Sequence, residues 1–178
     1  MTDAVASSDL GGLFDQHVAL EFEAKDAEAT MRTMTSDPTV IHVPVLTGGR
    51  GTSELADFYS DWFIPSWPED TQVTQVSRTI GSERVVDELI IRFTHTREMP
   101  FWLPGIGATG RVVEIPLVVV MGFEKGSVSS EHIYWDQAGL LEQIGLLEGT
   151  GLPIAGAQQA RALRDRNTPL NDLIKNMQ

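Results

Sequence analysis

The sequence predicts an α+β fold in which N-terminal helices pack on one face of a curved antiparallel sheet. Three observations carry that prediction. Apolar residues recur at threes and fours over 10–35 and again over 52–63, the period of a helix. From 72 to 136 the period changes, and four long strand-like runs follow one another through turn chemistry. The chain has 178 residues, of which 42% are hydrophobic and 21% charged, enough apolar surface for one real core and no more.

Each element has its own justification. Leu10, Leu13, Phe14, Val18 and Phe22 form the first apolar stripe, with Asp9 placed to cap it. Lys25-Asp26-Ala27 marks a bend, after which Met31 and Met34 continue as core filler. Ser36-Asp37-Pro38 ends the helical region, because proline drives the residue before it out of the α basin. Residues 39–46 then read as a strand, closed by Thr47-Gly48-Gly49-Arg50-Gly51. Thr52 or Ser53 caps a third helix with Leu55, Phe58, Tyr59, Trp62 and Phe63 on its apolar face, stopped by Pro65 and Pro68. The four runs are 72–80, 85–97, 111–123 and 127–136, turned at Gly81-Ser82 and Glu124-Lys125-Gly126. Residues 99–110, rich in Gly and Pro, form a long loop over one end of the sheet. Helical spacing returns over 137–147. Short amphipathic helices at 157–166 and 169–177 follow, the second with Pro169 at its first position. The expected organisation is a 1–151 barrel domain and a 152–178 helical extension. The extension is basic on an acidic body, which suits docking on its own domain or a sister subunit as well as it suits a solvated appendage.

Composition removes several functions. Thirteen basic against 25 acidic residues give a net charge of −12, which argues against nucleic acid as a partner, since tracking phosphates needs a basic face. The absence of cysteine excludes disulfides, thiolate metal sites, iron–sulfur clusters and cysteine nucleophiles. No targeting segment is read at the N-terminus, and the longest apolar run, 115–122, contains Pro116 and is far short of the ~20 residues of a membrane span. No membrane partner and a cytoplasmic location are expected.

A curved sheet closed partly into a cone leaves a pocket between its concave face and the N-terminal helices, the natural place for a small molecule. The densest polar run is Glu131-His132-Ile133-Tyr134-Trp135-Asp136. Strand alternation puts His132, Tyr134 and Asp136 on one face and Glu131, Ile133 and Trp135 on the other. The first set offers an imidazole, a phenol and a carboxylate that burial would turn into a general base. Asp136 has a second reading, as the cap of the helix that follows. His42 interrupts an apolar strand and His95 lies near a strand end; each is either hydrogen-bonded packing or a member of a shared pocket. His17 reads as structural or surface. Arg92 with Glu88 is a solvated pair or, if inward, an anchor for Asp136 or an anion. His42, His95 and His132 lack the close spacing of metal ligands, so no metal is expected. Gly105-x-Gly107-x-x-Gly110 opens no helix and is no dinucleotide site, and no nucleophilic serine motif is present.

Thr94-His95, the Leu103-Pro104-Gly105-Ile106 loop with Ala108-Thr109-Gly110-Arg111, and Glu131-His132 through Trp135-Asp136 to Gly139-Leu140-Leu141-Glu142-Gln143-Ile144-Gly145-Leu146 resemble the SnoaL-like polyketide cyclases. These belong to the nuclear transport factor 2-like superfamily, with ketosteroid isomerase, scytalone dehydratase and limonene epoxide hydrolase. The resemblance spans roughly 10–148. It implies a cone-shaped α+β barrel, dimeric, performing cofactor-free acid–base chemistry on a small hydrophobic molecule. It also aligns Asp136 with the acid/base aspartate of the cyclases and His95 with their threonine–histidine pair. The extra C-terminal residues and Phe101-Trp102 depart from the pattern.

The resulting expectation is a cyclase, isomerase or lyase with no cofactor. Asp136 is its base, and His132, His95 and His42 (with Tyr134) are donors to the developing enolate. Tyr59, Trp62, Phe101 and Trp102, with Phe58, shape the pocket, and Arg92 binds substrate. Two other readings remain: an epoxide-hydrolase-like enzyme with water activated by Asp136 and Arg92, and a non-catalytic ligand-binding or oligomerisation module.

Overall fold

The computed structural model describes residues 9–175. The N-terminal stretch read for targeting signals, residues 1–8, and the last residues of the expected 169–177 helix lie outside the described residues.

Helix α1 (Leu10–Ala19) is capped by the Asp9 carboxylate, which accepts from Gly12 N–H at 3.0 Å. It runs on as a π-helical segment, Leu20–Ala24, until Lys25 takes a left-handed φ of 52°. This is the bend expected there. Helix α2 (Ala27–Arg32) follows, capped by Asp26. Strand β1 (Met34–His42) begins earlier than the 39–46 expectation and carries Pro38 within it. Its register slips between Met34 and Thr39, which accommodates the missing donor. The glycine-rich segment read as a turn is itself a strand, β2 (Thr47–Arg50). Gly48, at φ 130°, is the residue that permits it: a Cβ there would stand 2.0 Å from the Val40 carbonyl oxygen.

Helix α3 (Gly51–Asp57) continues through π-helical Phe58–Phe63 and a 3₁₀ turn, Ile64–Ser66. Neither Thr52 nor Ser53 caps it; Arg50 is its N-cap, and the Arg50 N–H donates to the Glu54 carboxylate at 2.8 Å. Strands β3 (Gln72–Ile80), β4 (Arg84–Thr94), β5 (Val112–Glu124) and β6 (Ser127–Trp135) form the expected meander. The six-stranded sheet has the order β2-β1-β6-β5-β4-β3, curved and unclosed. One pairing departs from the antiparallel expectation: β1 lies parallel to β6, with Val40 beside Glu131 and His42 beside Ile133. That junction folds the helical N-terminal layer over the concave face.

The loop after β4 is more than a cover. Phe101, Trp102 and Leu103 are each 1% exposed and plug the end of the sheet among Trp67, Phe93 and Trp135. At the other side Arg78 on β3 ties the helices to the sheet. Its guanidinium donates to Asp87 and Asp15, both at 2.7 Å, and lies 4.7 Å over the Phe14 ring.

Helix α4 (Gln137–Gln143) follows β6, and the tail holds α5 (Gln158–Arg164) and α6 (Asp172–Lys175). α5 packs on β5 of its own domain, with Ala160 fully buried and Arg164 paired to Glu114 at 2.5 Å. No helix among the described residues is long and apolar enough to cross a membrane.

Candidate functional site

Inward-facing residues follow strand parity. On β4 these are Asp87, Leu89, Ile91 and Phe93; on β6 they are Glu131, Ile133 and Trp135. Of these, Leu89, Ile91, Glu131 and Ile133, together with Val40 and His42 of β1 and residues of α1 and the two π-helical segments, enclose a cavity of about 50 Å³. Its walls are mostly apolar, the aromatic rings of Phe14, Phe22, Phe58, Phe63, Trp67 and Trp102 alternating with aliphatic side chains. Its polar groups are Glu21, His42, Tyr59 and Glu131, and no Lys or Arg among the described residues lines it. Phe14, Val18, Glu21, Phe22, Trp67, Val73 and Leu89 also line an open groove of about 500 Å³ between α1 and β3, so cavity and groove meet.

Glu131 sits at one end with three partners from the helices. His17 and Glu21 lie one turn apart on α1 and its continuation, and all are at most 5% exposed. His17 Nε2 is 3.3 Å from Glu21 Oε1, and the Tyr59 hydroxyl is 3.4 Å from the same nitrogen. The orientation of His17 is fixed from behind. The Thr33 hydroxyl donates to the Thr30 carbonyl at 2.7 Å, so its oxygen accepts from His17 Nδ1–H at 2.6 Å. Nε2 therefore faces the two carboxyls.

Burial pushes the Glu131 carboxyl up to about 8, reinforced by the negative charge of Glu21 and opposed by His17. For His17, burial is the largest influence and acts downward. The Glu21 charge and hydrogen bond and the Glu131 charge outweigh it, so the imidazole is raised. Burial, then Glu21 and Glu131, hold the Tyr59 phenol well above its usual range. Glu21 Oε1 has no aligned hydrogen-bond donor although it is enclosed. One ligand atom from each of His17, Glu21 and Glu131 lies within 4.8 Å of the others, close enough for all three to contact one divalent cation.

His42 stands beside this cluster, on the neighbouring strand. Trp102 Nε1–H donates to its Nδ1 at 3.1 Å, and burial pushes the imidazole down to about 3. It is a neutral ring at any ordinary pH.

Of the residues expected from sequence, His42, Phe58, Tyr59 and Trp102 line the cavity, and Phe101 packs behind them against His42. The others are elsewhere. Asp136 caps α4, accepting from Ala138 N–H at 3.0 Å and from the Gln159 amide of α5. This is the second of its two readings. His132 and Tyr134 have the outward parity of β6, and Arg92 that of β4, because Ile133, Trp135 and Ile91 take the inward positions. The outward Arg92 is not beside Asp136 in a cavity, as the water-activating reading requires. Trp62 is 52% exposed at the outer side of its helix. His95 is enclosed, but as a clamp for the loop: its Nδ1 accepts from Thr109 N–H at 3.3 Å, and burial lowers the ring. Glu131, Glu21 and His17 were not singled out. The available signal was the pairing of Glu131 with Ile133 and Trp135, whose apolar character marks the buried face, and the four-residue spacing of His17 and Glu21.

No protein-family model matches the sequence, and no curated protein does. Solved structures match in shape. A candidate SnoaL-like polyketide cyclase from Jannaschia sp. CCS1 superposes with a TM-score of 0.58 at 16% identity, covering 81% of this chain and 97% of that one. TsrD from Streptomyces laurentii gives 0.60 at 16%, over 78% and 96% of the two chains. A Catenulispora acidiphila protein with a ketosteroid isomerase-like fold, in complex with trimethylamine, gives 0.58 at 13%, over 75% and 92%. The curved sheet, the helical layer over its concave face and these superpositions agree: the chain has the nuclear transport factor 2-like fold of the SnoaL-like and ketosteroid isomerase-like proteins.

Proposed function

We propose that the protein is a cofactor-independent acid–base enzyme of the cyclase or isomerase type, acting on a small hydrophobic carbonyl compound. The observation that carries this is Glu131, a carboxyl raised to about 8 by burial, on the wall of an aromatic cavity. A proton donor and acceptor works best when its pKa lies near the operating pH. The ionised Glu131 takes the proton from the carbon next to the carbonyl; the C–H electron pair moves to the oxygen, giving an enolate. Return of that proton to a different carbon, or attack of the enolate carbon on a second carbonyl, completes an isomerisation or a cyclisation. Glu21 and His17 hold the second charge and the second proton of the cluster. The cavity alone is below the roughly 300–1,000 Å³ of ligand pockets, so substrate binding recruits the adjoining groove. The bound trimethylamine of the Catenulispora protein supports a small molecule as ligand.

The base in this proposal is Glu131 rather than Asp136, whose oxygens are engaged by α4 and α5. A homodimer and a cytoplasmic location belong to the same proposal; light scattering of the purified protein tests the first. The chemistry is tested by deuterium exchange next to the carbonyl in a panel of cyclic ketones and β-diketones, followed by NMR in D₂O. The wild type accelerates exchange for at least one member. Glu131→Gln lowers that rate by ~10²-fold or more, the usual worth of a positioned acid–base group, while Asp136→Asn leaves it within a few-fold. Exchange retained by Glu131→Gln, or absent with every ketone, overturns the proposal.

A further inference from the structure

The hydrogen bond between Trp102 and His42 determines where the proton of the imidazole is. An indole nitrogen is a donor only, so His42 Nδ1, at 3.1 Å, presents a lone pair to it. A neutral ring with a bare Nδ1 carries its proton on Nε2. That N–H meets no protein acceptor among the described residues. It is nevertheless not one of the fully enclosed orphan atoms, so it keeps contact with the open space of the cavity that His42 lines. The ring cannot turn to hide it. Phe58, Phe63, Phe101 and Trp135 surround it with ring centroids 5.5–5.8 Å away.

The sheet register fixes its distance from the base. His42 is paired with Ile133, and Glu131 is two residues back on the same face of β6. Two strand steps of about 3.3 Å and one inter-strand spacing of about 4.8 Å put the two Cβ atoms roughly 8 Å apart. Both side chains line the same cavity, so one small molecule there can meet both.

We propose that His42 Nε2–H is the donor that binds the substrate's carbonyl oxygen and the oxyanion formed from it, and that Trp102 is a positioning residue that selects this tautomer. The inference rests on the acid–base reading above and names its substrate class: an uncharged, enolisable ketone or aldehyde. A neutral donor next to two carboxyls, with no cation lining the inner cavity, disfavours a carboxylate or phosphate ester at the His42 end, since Lys25 and Arg78 line only the outer groove. A neutral imidazole is also the better partner for an enolate, because it donates without giving up its proton.

Two measurements test this without turnover. Nitrogen-15 NMR of the histidines shows His42 as a single tautomer, protonated at Nε2, from pH 5 to 8. Trp102→Phe releases it to a mixture, a signature that loss of packing alone does not produce. Equilibrium binding then uses phenol as an enolate mimic and benzoate as an anion of similar size. Wild type binds phenol at least tenfold tighter than benzoate; His42→Phe loses tenfold or more for phenol, and His42→Asn, whose amide can accept from Trp102 and still donate, recovers part of it. A proton on Nδ1, equal phenol affinity in wild type and His42→Phe, or preference for benzoate overturns the inference. If the tautomer and phenol results hold while Glu131→Gln keeps its exchange activity, the donor stands and the choice of base falls. The reverse pattern removes the donor alone.

Discussion

Replacing Glu131 by Gln should make the protein more stable at alkaline pH, and the size of the effect follows from its surroundings. The carboxyl is buried beside Glu21, and its native value of about 8 lies above the ordinary 4.5. Between those limits the native state binds a proton that the unfolded chain does not. Stability is therefore greatest below 4.5 and falls as pH rises toward 8, where it levels off. At about 1.4 kcal/mol per unit the whole interval is worth roughly 5 kcal/mol as a ceiling. Residual burial in the unfolded chain and adjustment of the native cluster bring the expected loss to about 2–4 kcal/mol. The raised His17 pulls in the same direction, since its native state also retains a proton that the unfolded state gives up.

The glutamine variant keeps the shape of the side chain and removes its titration. Urea unfolding at pH 5, 6, 7, 8 and 9 should show the wild type losing midpoint steadily across the series. Glu131→Gln should be close to flat apart from the His17 contribution, and the two curves should cross. A wild type whose stability is constant or rises from pH 5 to 8, or a variant that runs parallel to it, would refute the reasoning. Glu131 would then be an ordinary carboxylate, with no proton to offer at neutral pH.

Two further outcomes follow. His42, native value about 3 against 6.5 unfolded, destabilises the fold as pH falls through that window because only the unfolded chain takes up the proton; unfolding midpoints at pH 7 and 4.5 should separate by up to about 3 kcal/mol more in wild type than in His42→Asn. Asp136→Asn weakens the start of α4 and the contact with Gln159, so thermal melts should show a loss of about 1 kcal/mol without a change in ketone exchange.

The fold was legible because its signals are local and redundant. The period of 3.6 around Leu10, Phe14 and Val18, the turn at Lys125-Gly126 and the long apolar runs each point to one element. What was not legible is tertiary. Nothing near Met34 shows that β1 would pair in parallel with β6, and nothing in the loop shows that Trp102 would reach His42, sixty positions away in sequence. Asp136 drew attention by ending a polar run, yet a carboxylate just before a helix answers a local need, the unpaired N–H groups of the first turn. Its two oxygens are engaged by the α4 backbone and the Gln159 amide.

Glu131 has no such local explanation. It neither caps a helix nor pairs with a strand-end amide, and its neighbours on the inward face of β6, Val128, Ile133 and Trp135, are apolar. A leucine at 131 and another at 21 would fill the same volume with no ionisable group to desolvate, and replacing buried polar clusters in this way is often neutral or stabilising. Glu21 is paired with His17 at 3.3 Å, but its Oε1 lacks an aligned donor. His17 is anchored through Thr33, but that bond orients Nε2 toward the carboxyls rather than satisfying them. Three buried ionisable groups at an apolar wall, one of whose oxygens (Glu21 Oε1) lacks an aligned donor, carry a desolvation cost that a hydrocarbon core would not. On the proposed acid–base reading that cost is offset by a ligand that gives a proton to Glu131 and accepts a hydrogen bond from His42.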